Sequence, residues 1–458
     1  MKRYRLIYAT ACSLVVVFIT SSIGLAAVPG SAGTATEQDK QLAIDAGLAW
    51  LASTQSTSGT QGYWSYGNDG TLAATASAAL AFIEEGYLPD PAGSVYEQKV
   101  DKALNYIFAR ADLVPISKTT FAPGHPEDYN NNGLVDDGGN GQGIYFDPAN
   151  NKRDVYTTGI VTPVIYALGE ALGKTTLVGK GTVSGMTYED VMRDVIDWYS
   201  YGQNDPNTGV HRGGWRYTDN YGTSDNSTAQ WGALPILYGN DWGLATPQFV
   251  KDELNLWINY VQHPQDGTYQ AGGSGYDHPN TYVNPAKTGG LLLELAAVGA
   301  TDSDPRVVNA LNYLQSMNTY DHWNQGATTA YGQWNGGHIG NPYSMWAVYK
   351  ALEVYGVTSI ATAPGGFTIG QDWDPQTSLA GDWYSQYCDW LVVNQNTNGS
   401  WNGYSYWNGP LAAGWNINIL NASGLPEPIP PVPTPGAFLL GAMGLGMVGW
   451  MKRRKKEA

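Results

Sequence analysis

Twelve stretches of this chain carry apolar residues three and four apart, and they alternate between two kinds. The first of each pair is charged on one face and bulky on the other: Gln38–Gln55, Tyr96–Ala111, Tyr188–Tyr201, Pro247–Gln262, Pro305–Met317 and Ser378–Gln395. The second is smaller and apolar nearly all round: Thr71–Glu85, Asp154–Leu172, Asp225–Leu237, Pro285–Val298, Pro342–Tyr355 and Pro410–Leu420. A helix wetted on one side is amphipathic, and a helix enclosed by others is not, so the alternation predicts two concentric rings. The expected fold is all-α, an (α/α)6 toroid of six helical hairpins over residues 36–420. Start signals agree, with Ser224-Asp225 before an apolar run and Pro305 and Pro342 at first turns.

Long loops rich in Gly and aromatics join each outer helix to its inner partner: Gly62-Tyr63-Trp64, Gly213-Gly214-Trp215-Arg216-Tyr217, Gly267-Thr268-Tyr269 and Gly399-Ser400-Trp401. Links from an inner helix to the next outer one are mostly shorter, as in Gly299 to Asp304. The long loops are therefore expected on one rim, beside the inner helices' N-termini with their unpaired N–H groups, and any ligand site belongs there. Aromatic residues favour Trp (17) and Tyr (31) over Phe (8), rings that pack on one side and hydrogen-bond on the other, which suits a wet cleft.

Forty acidic against 24 basic side chains give a net charge of −16, so the body should repel nucleic acid and anionic lipid. With Cys12 in the leading segment and Cys388 alone in the rest, no internal disulfide and no cysteine-rich metal site is expected. Residues 1–35 read as a secretory signal peptide: Lys2, Arg3 and Arg5 precede an apolar run from Leu14 to Ile19 and small residues near Ala27 to Ala35. A retained N-terminal anchor is the competing expectation. Residues 421–435 form a Pro-rich linker beginning with Pro426-Glu427-Pro428, and residues 436–458 an apolar segment, expected as a short transmembrane helix, ending in Lys452-Arg453-Arg454-Lys455-Lys456.

Pro-Glu-Pro, a Gly-rich apolar segment and a basic cluster, in that order, resemble the PEP-CTERM sorting signal. The resemblance implies export to a bacterial cell envelope or surface, an exosortase-type processing enzyme as partner, and membrane attachment through the C-terminal helix. A plain C-terminal membrane helix is the alternative. In the body, Gln395-Asn396-Thr397-Asn398-Gly399-Ser400-Trp401 fits Gln-x-x-x-Gly-x-Trp, Gln55, Gly62 and Trp64 repeat it loosely, and Gln262 and Gln315 stand at matching helix ends. This resembles the repeat of squalene–hopene cyclases and protein prenyltransferases and implies their α/α toroid over most of residues 38–420.

The chemistry of those relatives has no counterpart here. The Asp-x-Asp-Asp acid of class II cyclases is missing, with Asp372-Trp373-Asp374-Pro375 the nearest string, and of the zinc ligands only Cys388 could serve. Glycan cleavage would need two carboxylates across a cleft, or a Tyr, His and Arg set for elimination. Asp154 and Asp225 are the candidates, both also placed like helix N-caps, with Asp277, His278, His322, His338 and Arg212 in nearby loops. Trp64, Trp215, Trp323, Trp334, Trp401 and Trp407 could stack on sugar faces, or each could plug a gap between hairpins. Asp128, Asn130, Asn132, Leu134 and Asp136 follow the first half of an EF-hand-like loop with Gly133 at the turn, so Ca²⁺ is the expected ion and an Asn/Gly-rich turn the alternative. The expected function is a non-catalytic ligand-binding or structural toroid of the envelope, with extracellular polysaccharide as ligand. The alternatives are a glycan hydrolase or lyase and, after it, an isoprenoid-active enzyme.

Overall fold

The computed structural model describes residues 35–67, 70–116, 140–146, 153–316, 338–360, 367–369 and 383–422. The calcium-loop residues Asp128 to Asp136, Trp323, Trp334, His322, Asp372, the N-terminal segment before Ala35 and the tail from residue 423 lie outside them.

The described chain is mostly helical. The outer series is α1 (Glu37–Thr54), α3 (Val95–Phe108), α5 (Tyr188–Gly202), α7 (Gln248–Val261), α9 (Pro305–Ser316) and α11 (Trp383–Val393). The inner series is α2 (Thr71–Glu84), α4 (Asp154–Leu172), α6 (Ala229–Asp241), α8 (Pro285–Ala297), α10 (Pro342–Val354) and α12 (Gly409–Leu420). Each overlaps one of the twelve stretches that spacing marks out. Local chemistry explains the starts. Thr36, Ser94 and Thr187 open α1, α3 and α5 with capping boxes closed by Asp39, Glu97 and Asp190. Asn284 and Asn341 cap α8 and α10, each ahead of a first-turn proline.

Every inner helix packs on the next: α2 on α4, α4 on α6, α6 on α8, α8 on α10, α10 on α12, and α12 back on α2. Small residues set the spacing. A Cβ on Gly159 would meet Trp231, one on Gly289 would meet the backbone of Ala347, and one on Gly414 would meet Ser77. Helices α6 and α10 run in one direction, since Gln230 meets Tyr343 at their starts and Tyr238 meets Lys350 further along both. The outer helices lie against them, α3 on α2, α5 on α4 and α6, α7 and α9 on α8, and α1 and α11 on α12. Helix α4 is 19 residues long and apolar enough to cross a membrane, but most of it is buried among its neighbours, as an inner helix must be.

The glutamines at the outer-helix ends explain how the hairpins are joined. Gln395 Nε2 donates to Gly399 O at 3.0 Å and to Ala43 O of α1 at 2.7 Å. Gln203 bridges Gly213 O and Val250 O of α7 in the same way, and Gln262 bridges Gly272 O and Arg306 O of α9. Gln55 donates to Lys99 O of α3. Gln203, Gln262 and Gln395 thus each fasten their own loop to the next outer helix, and Gln55 ties the end of α1 to α3. The loop glycine has to be glycine: Gly213, Gly272 and Gly399 have φ of +81°, +82° and +88°, and a Cβ on Gly399 would lie 2.1 Å from Ala46 O. Sequence reasoning did not single out Gln203, which makes the same bridge as Gln262.

One expectation, an all-α chain, needs correction. The chain is not purely helical: three short antiparallel hairpins interrupt it, β1 (Ser56–Ser58) with β2 (Gln61–Tyr63), β3 (Ala111–Pro115) with β4 (Gln142–Phe146), and β5 (Val357–Ile360) with β6 (Phe367–Ile369). Runs of three to five residues are too short for a period-2 pattern to stand out from loop. The link from α10 to α11 is also long, because β5 and β6 lie in it.

Two buried ionisable groups have no part in loop chemistry. Cys388 packs in α11 beside Tyr384, and burial pushes its thiol up to about 12. Lys350 of α10 is buried, with Nζ 3.3 Å from Tyr238 Oη and 4.4 Å above the Trp346 ring. Burial pulls it down to about 8, against the opposing pull of Glu353 and Glu84. Between pH 8 and the ordinary lysine range the unfolded chain holds a proton that the folded one has shed, so this residue adds stability as pH rises through that window. Relative to Lys350→Met, the wild type should gain about 3 kcal/mol between pH 8 and pH 10.5, read by denaturant unfolding at each pH. An unchanged difference would contradict the placement of Lys350.

Candidate functional site

The long loops step across the starts of the inner helices. Tyr217 O accepts from Val155 N at the head of α4, Tyr276 O accepts from Asn226 N ahead of α6, and Asn408 N lies 3.5 Å from Tyr66 Oη near α2. The loops before α6, α8 and α12 therefore lie on the same rim.

Aromatic side chains cover that rim. The Tyr217 and Tyr276 hydroxyls meet at 3.3 Å, Tyr156 stacks on Tyr217, and Tyr221 and Tyr282 stand edge-on to Tyr217 and Tyr276. Trp407 lies flat on Tyr343, with centroids 4.5 Å apart and planes 13° apart. Tyr221, Tyr282 and Tyr406 are 47%, 53% and 77% exposed, which is unusual for rings this large unless something covers them in use.

Beneath the rings lies a polar floor. Asp225 is fully buried, and its Oδ1 accepts from Ser227 N, Ser227 Oγ and Thr228 N. Arg216 Nε stands 3.1 Å from Asp225 Oδ2, a charge contact whose atoms are not aligned for a hydrogen bond. Burial alone would lower the guanidinium; Asp225 and the phenols of Tyr276 and Tyr217 outweigh it and hold it raised. Tyr156 donates to Ser227 Oγ at 2.6 Å, Tyr343 donates to Ser227 O at 2.9 Å, and Gln230 Nε2 donates to Tyr343 Oη. Desolvation drives Tyr156, Tyr276 and Tyr343 well above the ordinary phenol range, so all three remain neutral donors.

The middle of the inner series is filled. Trp231, Trp415 and Trp346, from α6, α12 and α10, form a column with centroids 6.2 Å apart at each step and planes 15–16° apart. All three are buried, and Trp407 rests 5.9 Å from Trp415. Glu294 of α8 is also fully buried, with neither carboxyl oxygen hydrogen-bonded, and burial, followed by the charge of Asp225, raises it well above the carboxylate range. It is a neutral acid with no exposed surface.

The sequence candidates divide on these positions. Trp64, Trp215 and Trp401 are at most 3% exposed, and each indole N–H is spent on an outer-helix carbonyl: Leu51 O at 2.7 Å, Tyr199 O at 2.9 Å and Leu391 O at 2.9 Å. With no free ring face they plug gaps between hairpins and are not available to a ligand; Trp407 alone of the described candidates reaches the rim. Asp154 is the half-buried first residue of α4, with Arg153 rather than Asp154 at the N-cap. Asp225 precedes α6, which begins at Ala229, and caps the turn leading into it. Asp225 is fully buried and so does not line an open cleft. His278 is exposed, Asp277 is half-buried, His338 is buried beside Tyr387, and Arg212 is paired with Glu253 through two hydrogen bonds. Among the described residues no group of three His, Cys, Asp or Glu is placed to hold a metal ion.

Arg216, Tyr217, Tyr276, Tyr343 and Glu294 go unflagged by sequence reasoning. The adjacency of Arg216 and Tyr217 to Gly213-Gly214-Trp215 was the available signal, since a plugging Trp fixes where its neighbours emerge.

No family model matches the chain, and no curated protein is similar to it. Among solved structures, the chain is similar to the apo structure of a β-1,3-1,4-glucanase from Paenibacillus sp. X4, with 12% identity, a TM-score of 0.47, and coverage of 86% of this chain and 94% of that one.

Proposed function

We propose that the chain is an exported (α/α)6 toroid that binds extracellular polysaccharide on its loop rim and does not turn it over. The carrying observation is the set of solvent-facing rings Tyr221, Tyr282 and Tyr406 with half-buried Trp407, on a rim whose floor is a hydrogen-bonded Asp–Ser–Tyr network joined by the Arg216–Asp225 charge contact. Flat faces beside planar polar groups suit sugar rings, which offer C–H on one side and hydroxyls around the edge. The Trp231–Trp415–Trp346 column supports the absence of turnover. Its three rings are buried among the inner helices, Glu294 has no exposed surface, and Asp225 is committed to Arg216 and three donors.

The same proposal takes residues 1–35 as a signal peptide and the tail as a PEP-CTERM-type signal read by an exosortase-type enzyme. It also takes Asp128 to Asp136 as a Ca²⁺ loop that pins the connection between β3 and β4. The glycan-cleaving alternative draws on Glu294 and Asp225, two buried carboxyls, one without a hydrogen bond and the other beside Arg216. A panel of envelope and plant polysaccharides, incubated with the purified protein with and without calcium, tests both. Saturable binding without new reducing ends or unsaturated products is expected. Sustained product release would replace this function with the cleaving one, and no binding to any polymer would remove it.

A further inference from the structure

The described chain enters and leaves the ring at one end, and that end is not the rim. Helix α12 starts directly after Tyr406, Trp407 and Asn408 and runs for 12 residues, about 18 Å, to Leu420. At its far end Tyr384 of α11 donates to Ile419 O and Leu420 O, both at 3.0 Å. Helix α1 runs the opposite way beside it: Gly47 abuts the Ile417 side chain, and Lys40, two turns earlier, has Nζ 5.2 Å from the centre of that Tyr384 ring. Ala35 N, just ahead of α1, donates to Asp389 Oδ1 of α11 at 2.5 Å. Gln41 Nε2 donates to Glu85 Oε2 at 3.2 Å, past the last residue of α2, so a second inner helix ends here. Ala35 and Ala422 therefore come out at the same end, a helix length from Tyr406.

Resting on the PEP-CTERM-type tail of the function above, we propose that the end where α1 starts and α2 and α12 stop faces a lipid surface, and that the tyrosine rim is carried outward on the opposite side. A retained leader before Ala35 gives the same orientation as an anchored tail after Ala422, since both leave from this end. Residues 423–435 are Pro-rich and reach about 40 Å at ~3.1 Å per residue when extended. Turning the rim to the bilayer would lay roughly half of that reach back along α12. Glu37 and Glu84 are exposed at the tail end, beside half-buried Asp39 and Glu85, and Lys40 is paired with Glu37. Anionic lipid repels such a face, so the linker, and not flat docking, sets its distance from the bilayer. The opposite arrangement would place Tyr221, Tyr282 and Tyr406 among lipid headgroups, which also suit phenols.

The purified full chain with Cys12→Ser is given one surface thiol, by Gln38→Cys at the tail end or Asn280→Cys on the rim, both at exposed positions, while buried Cys388 stays unlabelled. A donor dye on each is read by energy transfer to an acceptor-labelled lipid in phosphatidylcholine–phosphatidylglycerol vesicles. Transfer should be at least twofold stronger from Gln38→Cys than from Asn280→Cys. Equal transfer, or stronger transfer from Asn280→Cys, overturns the orientation and leaves the tail and rim functions standing. A chain that does not float with the vesicles has no membrane attachment, which removes the tail's role and the orientation together.

Discussion

Gly399→Ala should cost more than about 3 kcal/mol of stability and lower the melting temperature by several degrees, whereas Gly59→Ala should cost about 1 kcal/mol or less. Both glycines have positive φ, so both substitutions introduce the same kind of backbone strain. Only Gly399 also abuts another element. Its new Cβ would lie 2.1 Å from Ala46 O and 2.6 Å from Ala46 C, backbone atoms of α1 that cannot rotate aside, while nothing lies within 4 Å of Gly59. The clash falls where the last outer helix meets the first, at the contact that Gln395 also bridges. Gln395→Ala should cost about 2–4 kcal/mol, because Ala43 O and Gly399 O both lose their donor. Chemical denaturation of the three variants beside the wild type reads this out. Equal losses for Gly59→Ala and Gly399→Ala would mean that α11 and α1 are not held together as described.

Tyr221→Ala combined with Tyr282→Ala should reduce polysaccharide affinity at least tenfold with less than about 1 kcal/mol change in stability, since both rings face solvent. Trp215→Ala should do the reverse. Its ring is 1% exposed, fills the space over Gly232 and donates to Tyr199 O, so its loss opens a cavity costing about 3–5 kcal/mol. Binding by whatever fraction of Trp215→Ala remains folded should be close to that of the wild type. Calorimetric titration alongside thermal unfolding separates the two effects. A Trp215→Ala variant that is stable but no longer binds would return that tryptophan to the site.

The contrast between Trp215 and Tyr221 marks where sequence stops being informative. Helix spacing is a local property repeated over many turns, so α1 to α12 are legible from the order of apolar residues. Whether an aromatic in a loop faces inward depends on what lies across the gap. Trp64, Trp215 and Trp401 look like rim residues until Leu51, Tyr199 and Leu391 are seen offering carbonyls to their indoles. The polar floor is hidden for the same reason. Arg216 and Asp225 are nine residues apart in the chain, and Tyr343, which completes their network through Ser227, is more than a hundred residues away. Asp154 and Asp225 attract notice as acids at helix starts, yet capping accounts for Asp225 and the neutral acid of the interior is Glu294, a residue that in sequence looks like any polar break in α8.

The central claim is that ligand is held on the rim and not inside the ring of inner helices. Amide hydrogen exchange of the purified protein, with and without a saturating polysaccharide, tests it most directly. The account predicts new protection in the loops around residues 216–228, 274–284 and 401–408, with exchange in the bodies of α6, α10 and α12 unchanged. New protection around Trp231, Trp346 and Trp415, with those loops unaffected, would place the ligand in the interior and contradict it.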